Sequence, residues 1–126
     1  MLKYFDFEEF DSPDLKGSGL PVEDGGKMSL DFLHKLDEAR AIAGVPFKIT
    51  SAYRTEKHNL TVGGRVGSSH AKTPCKAVDI FCKTSGDRTK IINALVKVGL
   101  SRRMGIAKNF IHTDDDKDKP AAIWLY

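Results

Sequence analysis

The sequence has no long hydrophobic run, so we expect no membrane-spanning segment. A transmembrane helix needs about 18 or more consecutive apolar residues, and no such stretch occurs in this chain. The N-terminal stretch MLKYFDFEEFDSPD lacks the basic start and apolar core of a secretory signal. We therefore expect a protein that is cytoplasmic as made and has no membrane partner.

Cysteine is scarce, which excludes two kinds of stabilised small domain. The two cysteines, Cys75 and Cys82, are too few for a disulfide scaffold, and a zinc ribbon would need two close cysteine pairs. We expect both to be reduced thiols. Basic residues are not clustered among aromatic ones, and the formal net charge is only +3, so we do not expect nucleic acid as a partner.

Length and composition indicate a single folded domain. With 126 residues, of which 40% are hydrophobic and 29% charged, the chain has an ordinary globular composition and enough residues for one core. We predict one domain over residues 1–126, with residues 1–26 as an N-terminal arm packed on it. The aromatic side chains that would supply the contacts of the arm are Tyr4, Phe5, Phe7 and Phe10.

Hydrophobic spacing predicts two long helices and several short strands. Apolar residues at helical spacing predict a helix over residues 29–43, with Ser29 as its N-cap and Gly44 as its stop. A second helix is predicted over residues 84–99. Apolar runs bounded by turn residues predict strands at residues 45–51, 76–82, 104–106, 109–113 and 121–126. We expect the last strand to pair with the one that contains His112.

A carboxylate within an apolar strand is the sharpest single signal in the sequence. Asp79 lies between Val78 and Ile80, and a buried carboxylate is costly unless it is paired or binds a metal. A salt-bridged aspartate or an edge-strand position would also explain it. Together with His70 and His112 it makes a set of two imidazoles and one carboxylate, which is typical of catalytic zinc sites that keep a fourth position for water.

Arg54 directly follows the first predicted strand and is a candidate for contact with a substrate. A guanidinium in such a place could stabilise a developing oxyanion, or bind a substrate carboxylate through two parallel hydrogen bonds. Taken alone, an arginine after a strand is also consistent with a simple surface position.

The charged run over residues 114–119, DDDKDK, is expected to form a solvated hairpin loop. It lacks both the glycine and the terminal glutamate that a calcium-binding loop of the EF-hand type requires.

Several short motifs, taken in order, resemble those of the M15 zinc peptidases. This family contains D-alanyl-D-alanine carboxypeptidases and phage endolysins that cleave peptidoglycan stems. The resemblance begins in the aromatic and acidic N-terminal segment and ends at Ile123-Trp124, so it spans nearly the whole chain. The motifs between these ends are Ser51-Ala52-Tyr53-Arg54-Thr55, His58-Asn59, Val62-Gly63-Gly64, Ser68-Ser69-His70, Ala77-Val78-Asp79-Ile80 and Phe110-Ile111-His112-Thr113-Asp114.

The resemblance implies a fold and a metal. The fold is α+β, of the hedgehog and D-Ala-D-Ala peptidase type, in which a small antiparallel sheet is flanked by helices and carries zinc on one face. The metal is one zinc ion, and the family ligands correspond to His70, Asp79 and His112.

The resemblance also implies an activity and a partner. The activity is zinc-dependent hydrolysis of a peptide bond in a peptidoglycan stem peptide, by a D-Ala-D-Ala carboxypeptidase or a stem endopeptidase. Arg54 matches the arginine that binds the substrate carboxylate or steadies the oxyanion, and we expect Ser68 and Asn59 to assist in substrate binding. We expect a monomer that acts on the cell wall after release in the manner of a phage lysin.

The segment between the first two ligands departs from the family pattern. His70 and Asp79 are nine residues apart, two more than in the family, and Cys75 stands where the family has glycine. The two extra residues must bulge outward if the site is to be preserved. A loop extension this short changes the free energy of folding little.

The general base also departs from the family pattern. Asn109 stands where many relatives have an acid, and Phe110 stands where some have a further histidine. Asp114 is our candidate base, because it lies two residues beyond His112 and so on the same face of a strand. A structural, hydrogen-bonding role for Asp114 is the alternative.

Two further hypotheses for the function remain, and the first of them is motivated by the missing acid at Asn109. One is a binding module that retains zinc and has lost catalysis. The other is a structural phage component that only assembles with partners.

Overall fold

Five strands and three α-helices make up the molecule. The computed structural model describes every residue from Met1 to Tyr126. The strands are β1 (Lys48–Ser51), β2 (Ala77–Phe81), β3 (Arg103–Ile106), β4 (Phe110–Asp114) and β5 (Ala122–Leu125). The helices are α1 (Leu30–Ala43), α2 (Glu56–Thr61) and α3 (Ser85–Lys97). None of them combines the length and the apolar character needed to cross a membrane.

The strands form one mixed sheet in the order β1-β2-β4-β3-β5. All neighbours are antiparallel except β3 and β5, which are parallel. The α+β class and the sheet flanked by helices are therefore confirmed. The prediction that the last strand pairs with the strand containing His112 is wrong. Both edges of β4 are occupied, by β2 and β3, so β5 adds to the free edge of β3.

Local capping signals set the ends of the two long helices. At the start of α1, Ser29 Oγ accepts a hydrogen bond from the amide of Phe32, and Gly44 ends the helix with a left-handed φ of 69°. Thr84 Oγ1 accepts a hydrogen bond from the amide of Asp87 and caps α3 in the same way. Both predicted helices are confirmed to within about two residues at each end.

The long helices cover one face of the sheet and leave the other for polar residues. Successive side chains of a strand point to opposite faces. Those of Val78, Ile80 and Ile111 join the buried side chains of α1 and α3 in one hydrophobic core. Asp79 and His112 alternate with these residues along β2 and β4, and therefore project from the opposite face.

The N-terminal segment packs against the core and against α1. Phe5 and Phe10 are buried, and their ring centroids lie 5.2 Å apart. Asp37 of α1 accepts hydrogen bonds of 2.8 Å from the amides of Lys3 and Tyr4. These contacts hold the first residues of the chain against the same core that supports the sheet.

Candidate metal centre and its cleft

A row of paired residues crosses the sheet on the face away from the long helices. Ser51, Asp79 and His112 are paired across β1, β2 and β4, and the row continues through Gly105 of β3 to Trp124 of β5. The row underlies an open cleft of about 640 Å³, a size typical of small-ligand sites.

Three candidate ligand atoms converge in the middle of this row. Asp79 Oδ1 lies 2.9 Å from His112 Nδ1 and 3.4 Å from His70 Nε2, and the ligand atoms of the three residues all lie within 4.8 Å of one another. With metal–ligand distances of about 2.0–2.2 Å, a tetrahedral zinc ion requires ligand atoms about 3.4 Å apart. The residue types and their spacing therefore fit zinc.

The backbone around His70 fixes the orientation of its ring. His70 lies in a short 3-10 turn, Ser69–Ala71, whose N-cap Ser68 accepts a hydrogen bond of 3.2 Å from the His70 amide. The ring Nδ1 is 2.6 Å from the carbonyl oxygen of Ala52. Because a carbonyl only accepts, Nδ1 carries the proton, and the lone pair of Nε2 is directed toward Asp79.

The ring of His112 is oriented by a carboxylate on its own strand. Its Nε2 lies 2.6 Å from Asp114 Oδ2, on the side of the ring away from Asp79. The other oxygen of Asp114 accepts a hydrogen bond of 2.9 Å from Arg103 Nε. Asp114 is only 1% exposed. A carboxylate that accepts the second N–H of a ligand histidine fixes its tautomer and increases its basicity.

Hydrogen bonds keep Asp79 ionised although it is largely buried. Burial would raise the pKa of this carboxyl, but bonds to His112 and His70 outweigh burial and lower the pKa well below its usual range. Burial likewise favours a neutral His112, yet its bonds to Asp114 and Asp79 raise its pKa above the ordinary value. A metal at Nδ1 must therefore compete with a proton, so metal affinity should weaken as the pH falls.

Arg54 lies beside the candidate ligands at the β1 end of the cleft. Its Nε donates to Ser51 Oγ at 2.9 Å, and its Nη1 donates to Asn59 Oδ1 at 3.3 Å. Its Nη2 lies 3.6 Å from Asp79 Oδ2. The backbone amide of Arg54 also donates to the His70 carbonyl at 2.8 Å. The guanidinium is therefore fixed, with its positive charge next to the carboxylate of Asp79.

Asn59 accepts a hydrogen bond from Arg54 on the side away from the cleft, and it does not line the cleft. It is 3% exposed. While Oδ1 accepts from Arg54, Nδ2 donates to the carbonyl of Arg65 at 2.9 Å. Gly64 packs directly on this amide, and a Cβ at Gly64 would collide with it. The contacts of Asn59 are thus with Arg54 and with the glycine-containing loop, and its side chain does not reach the cleft.

The long segment between His70 and Asp79 bulges away from the candidate ligands. It pairs with the chain just before α1, where the Cys75 amide donates to the Lys27 carbonyl at 2.7 Å and the Ser29 amide donates to the Cys75 carbonyl at 3.0 Å. Burial raises the pKa of the Cys75 thiol to about 12. The thiol therefore stays protonated and packs behind His70, and it is not among the converging ligand atoms.

Asp116 connects the turn that contains His70 with the segment that follows β4. Its carboxylate accepts a hydrogen bond of 2.7 Å from Ser69 Oγ and lies 2.8 Å from Lys72 Nζ and 3.7 Å from Lys119 Nζ. Burial would raise the pKa of Asp116, but hydrogen bonds from Lys72, Ser69 and the Asp118 amide lower it to about 2. The prediction of a solvated hairpin loop is wrong here, because Asp116 is buried and the strands on either side of the loop are not neighbours.

Aromatic side chains form the β5 end of the cleft. The ring of Trp124 lies 5.5 Å from that of His112, and the rings of Phe110 and Tyr126 are 4.9 Å apart. Gly105 makes the approach of Trp124 possible, since a Cβ at this position would lie 2.6 Å from Trp124 Nε1. The cleft therefore has Arg54 at its β1 end and aromatic side chains, with Arg103 over Trp124, at its β5 end.

The cleft brings together most of the residues selected from the sequence. Those that line it are Arg54, Ser68, His70, Asp79, His112 and Asp114. The sequence did not indicate the residues that strand pairing and loop packing bring to the site. These are Ser51, Arg65, Gly105, Asp116 and Trp124. Only Gly105 left a local signal, as a glycine inside a predicted strand, which often marks a close approach.

A comparison with known protein families gives a match. A protein-family model described as Peptidase M15 matches residues 4–114. That range includes the three candidate ligands and Arg54, and it ends before β5. No curated protein shows significant similarity to the chain.

Proposed function

The chain belongs to the M15 peptidase family, and from this premise we propose that it is a zinc-dependent peptidase that cleaves peptidoglycan stem peptides. One observation carries the proposal. The ligand atoms of His70, Asp79 and His112 converge in an open cleft, beside the fixed guanidinium of Arg54. We propose that the cell wall is where it acts.

We propose that His70 binds zinc through Nε2, His112 through Nδ1 and Asp79 through Oδ1. The other ring nitrogens of the two histidines are hydrogen-bonded to Ala52 and Asp114, which supports this choice of atoms. Zinc in this position would supply Lewis-acid chemistry, polarising a carbonyl and lowering the pKa of water. Asp79 and His112 hold fixed positions on the sheet, and hydrogen bonds fix His70 in the turn beside it, so little reorganisation accompanies binding.

Arg54 is the residue of the cleft best placed to meet an anionic group of the substrate. Its Nη2 is the guanidinium nitrogen nearest the candidate ligands, at 3.6 Å from Asp79 Oδ2. Its other contacts, with Ser51 and Asn59, fix the plane of the guanidinium. We propose that it binds the carboxylate of a terminal D-alanine in a carboxypeptidase reaction, or the developing oxyanion in an endopeptidase reaction.

We propose that Asp114 positions His112 and is not the general base. One of its oxygens bonds to His112 and the other to Arg103, and the side chain is almost fully buried. A general base must reach the proton that it removes. Asn109, where many relatives have an acid, does not line the cleft.

The same observation favours a second candidate function. If neither Asp114 nor Asn109 accepts a proton from the attacking water, the cleft has no other carboxylate than Asp79. The protein would then be a zinc-containing module that binds stem peptides without cleaving them.

Mass spectrometry of digested peptidoglycan separates these functions. Zinc-loaded protein is expected to release a terminal D-alanine or to cleave within the stem, and chelator-treated protein is expected to do neither. Release of D-alanine alone would identify a carboxypeptidase. Binding to sacculi with no zinc-dependent product would contradict the peptidase and support the binding module.

Arg54→Ala is expected to lower kcat/KM by about 100-fold or more, because a charge-assisted, oriented donor to the reacting group contributes roughly 2.7–4 kcal/mol. Zinc content should not change, since Arg54 is not a ligand. Steady-state kinetics on a stem peptide and metal analysis of the same samples check both expectations. Arg54→Lys keeps the charge but not the planar fork, and it should recover only part of the loss. Lys57→Ala, on the exposed face of α2, is the control. Unchanged kinetics in Arg54→Ala would remove Arg54 from the reaction.

A further inference from the structure

Four cationic side chains line the cleft, and three of them have an acidic partner. Arg54 is close to Asp79, Arg103 pairs with Asp114, and Lys119 lies 3.7 Å from Asp116. The fourth is that of Arg65. It is exposed, and its guanidinium makes no hydrogen bond or ion pair within the protein.

The backbone of Arg65 is held firmly although its side chain is free. Its carbonyl oxygen accepts two hydrogen bonds, of 2.9 Å from Asn59 Nδ2 and 3.1 Å from the Ser68 amide. The loop turns at two glycines with positive φ, Gly63 at 78° and Gly67 at 82°. The side chain of Arg65 therefore extends from a fixed point on the edge of the cleft.

One buried amide sets the positions of two arginines. Asn59 Oδ1 accepts from Arg54 Nη1, and Asn59 Nδ2 donates to the carbonyl of Arg65. Both arginines therefore line the same cleft and are anchored by the same residue. An extended peptide bound along this cleft can meet both.

We propose that Arg65 forms an anion subsite that binds a second carboxylate of the substrate, in addition to the group met by Arg54. This inference rests on the proposed function, since it concerns the peptide in the same cleft. The ligand chemistry is an acidic peptide with one carboxylate near the cleaved bond and another further along the chain. The guanidinium of Arg65 binds that second carboxylate with parallel hydrogen bonds.

The expected gain is modest because Arg65 is exposed to solvent. Exposed ion pairs contribute up to about 1 kcal/mol, which corresponds to an approximately fivefold difference in affinity. The gain should appear in KM and Kd, leave kcat unchanged, and diminish as the salt concentration rises.

Two matched stem peptides test the subsite. They share the C-terminal carboxylate and differ at one internal carboxylate, which is free in one peptide and amidated in the other. Both KM and calorimetric Kd are measured for the zinc-loaded wild type, Arg65→Ala, Arg65→Glu and the control Lys57→Ala. We expect the wild type and the control to prefer the free carboxylate about fivefold. Arg65→Ala should lose that preference and Arg65→Glu should reverse it, both with unchanged kcat on the amidated peptide.

The outcomes for the subsite and for the proposed function are distinguishable. An equal preference in wild type and Arg65→Ala, or no binding of either peptide, would overturn the subsite. A different result separates the two proposals: neither peptide is cleaved, the wild type binds the peptide with the free carboxylate more tightly, and Arg65→Ala binds both peptides equally. In that case the subsite stands and the peptidase proposal fails.

Discussion

Replacing His70 with alanine is expected to abolish zinc binding, and with it activity and much of the thermal stability. A metal that binds only the folded state, at a thousand times its Kd, adds about 4 kcal/mol to the free energy of unfolding. For a domain of this size, such a gain corresponds to an increase in Tm of more than about 10 °C on zinc binding. We expect His70→Ala to lose this increase. Metal analysis and thermal unfolding with and without zinc measure both effects.

A second histidine provides a matched control for this substitution. His34 is on α1, is exposed, and is not among the converging ligand atoms. His34→Ala should retain full zinc occupancy and an unchanged Tm shift. Full occupancy in His70→Ala would show that the ligand set is wrong.

Asp114→Asn is expected to weaken zinc binding by about 10- to 100-fold, the effect usual for partners that orient ligand histidines. An asparagine can still accept from His112, but its NH₂ group would then face Arg103 Nε, another donor. Asp114→Ala should also destabilise the fold, by about 3 kcal/mol at most, because it leaves the partly buried charge of Arg103 without its carboxylate. Zinc titration and denaturant unfolding measure these effects, and Asp118→Asn, at an exposed position of the next loop, is the control.

The same variant distinguishes a positioning role from a general base. If Asp114 positions His112, Asp114→Asn loses zinc affinity, and saturating zinc restores most of kcat. If Asp114 is the base, zinc affinity is nearly unchanged, kcat stays low at any zinc concentration, and the acidic limb of the pH–rate profile disappears. The second pattern would contradict the role that we propose for Asp114.

The sequence predicted best those features that depend on neighbouring residues. Ser29 and Gly44 signal the ends of α1 through local hydrogen bonds and one backbone angle, so they can be recognised without the fold. Asp79 could be recognised because a carboxylate is out of place in an apolar strand, whatever its partners are. The candidate ligands followed from that signal and from the order of the motifs.

The features that the sequence did not predict depend on contacts between distant segments. The predicted partner of β5 was wrong because a strand can add only to a free sheet edge. In this sheet β2 and β3 already occupy both edges of β4. Asp116 was expected in solvent because nothing near it in sequence indicates its bond to Ser69, 47 positions away. The sequence also did not indicate that the side chain of Asn59 points inward, to Arg54 and to the loop of Arg65.

The direct pairing of Asp79 with His112 also bears on how the sheet assembles. A slip of β4 by one residue would place Ile111 or Thr113 opposite Asp79, and would turn the imidazole into the hydrophobic core. The native alignment presents both side chains to one ion, and a one-residue slip does not. Zinc present during folding would therefore stabilise correctly aligned chains over misaligned ones, and the same ion would serve both as a catalytic group and as a selector of strand register.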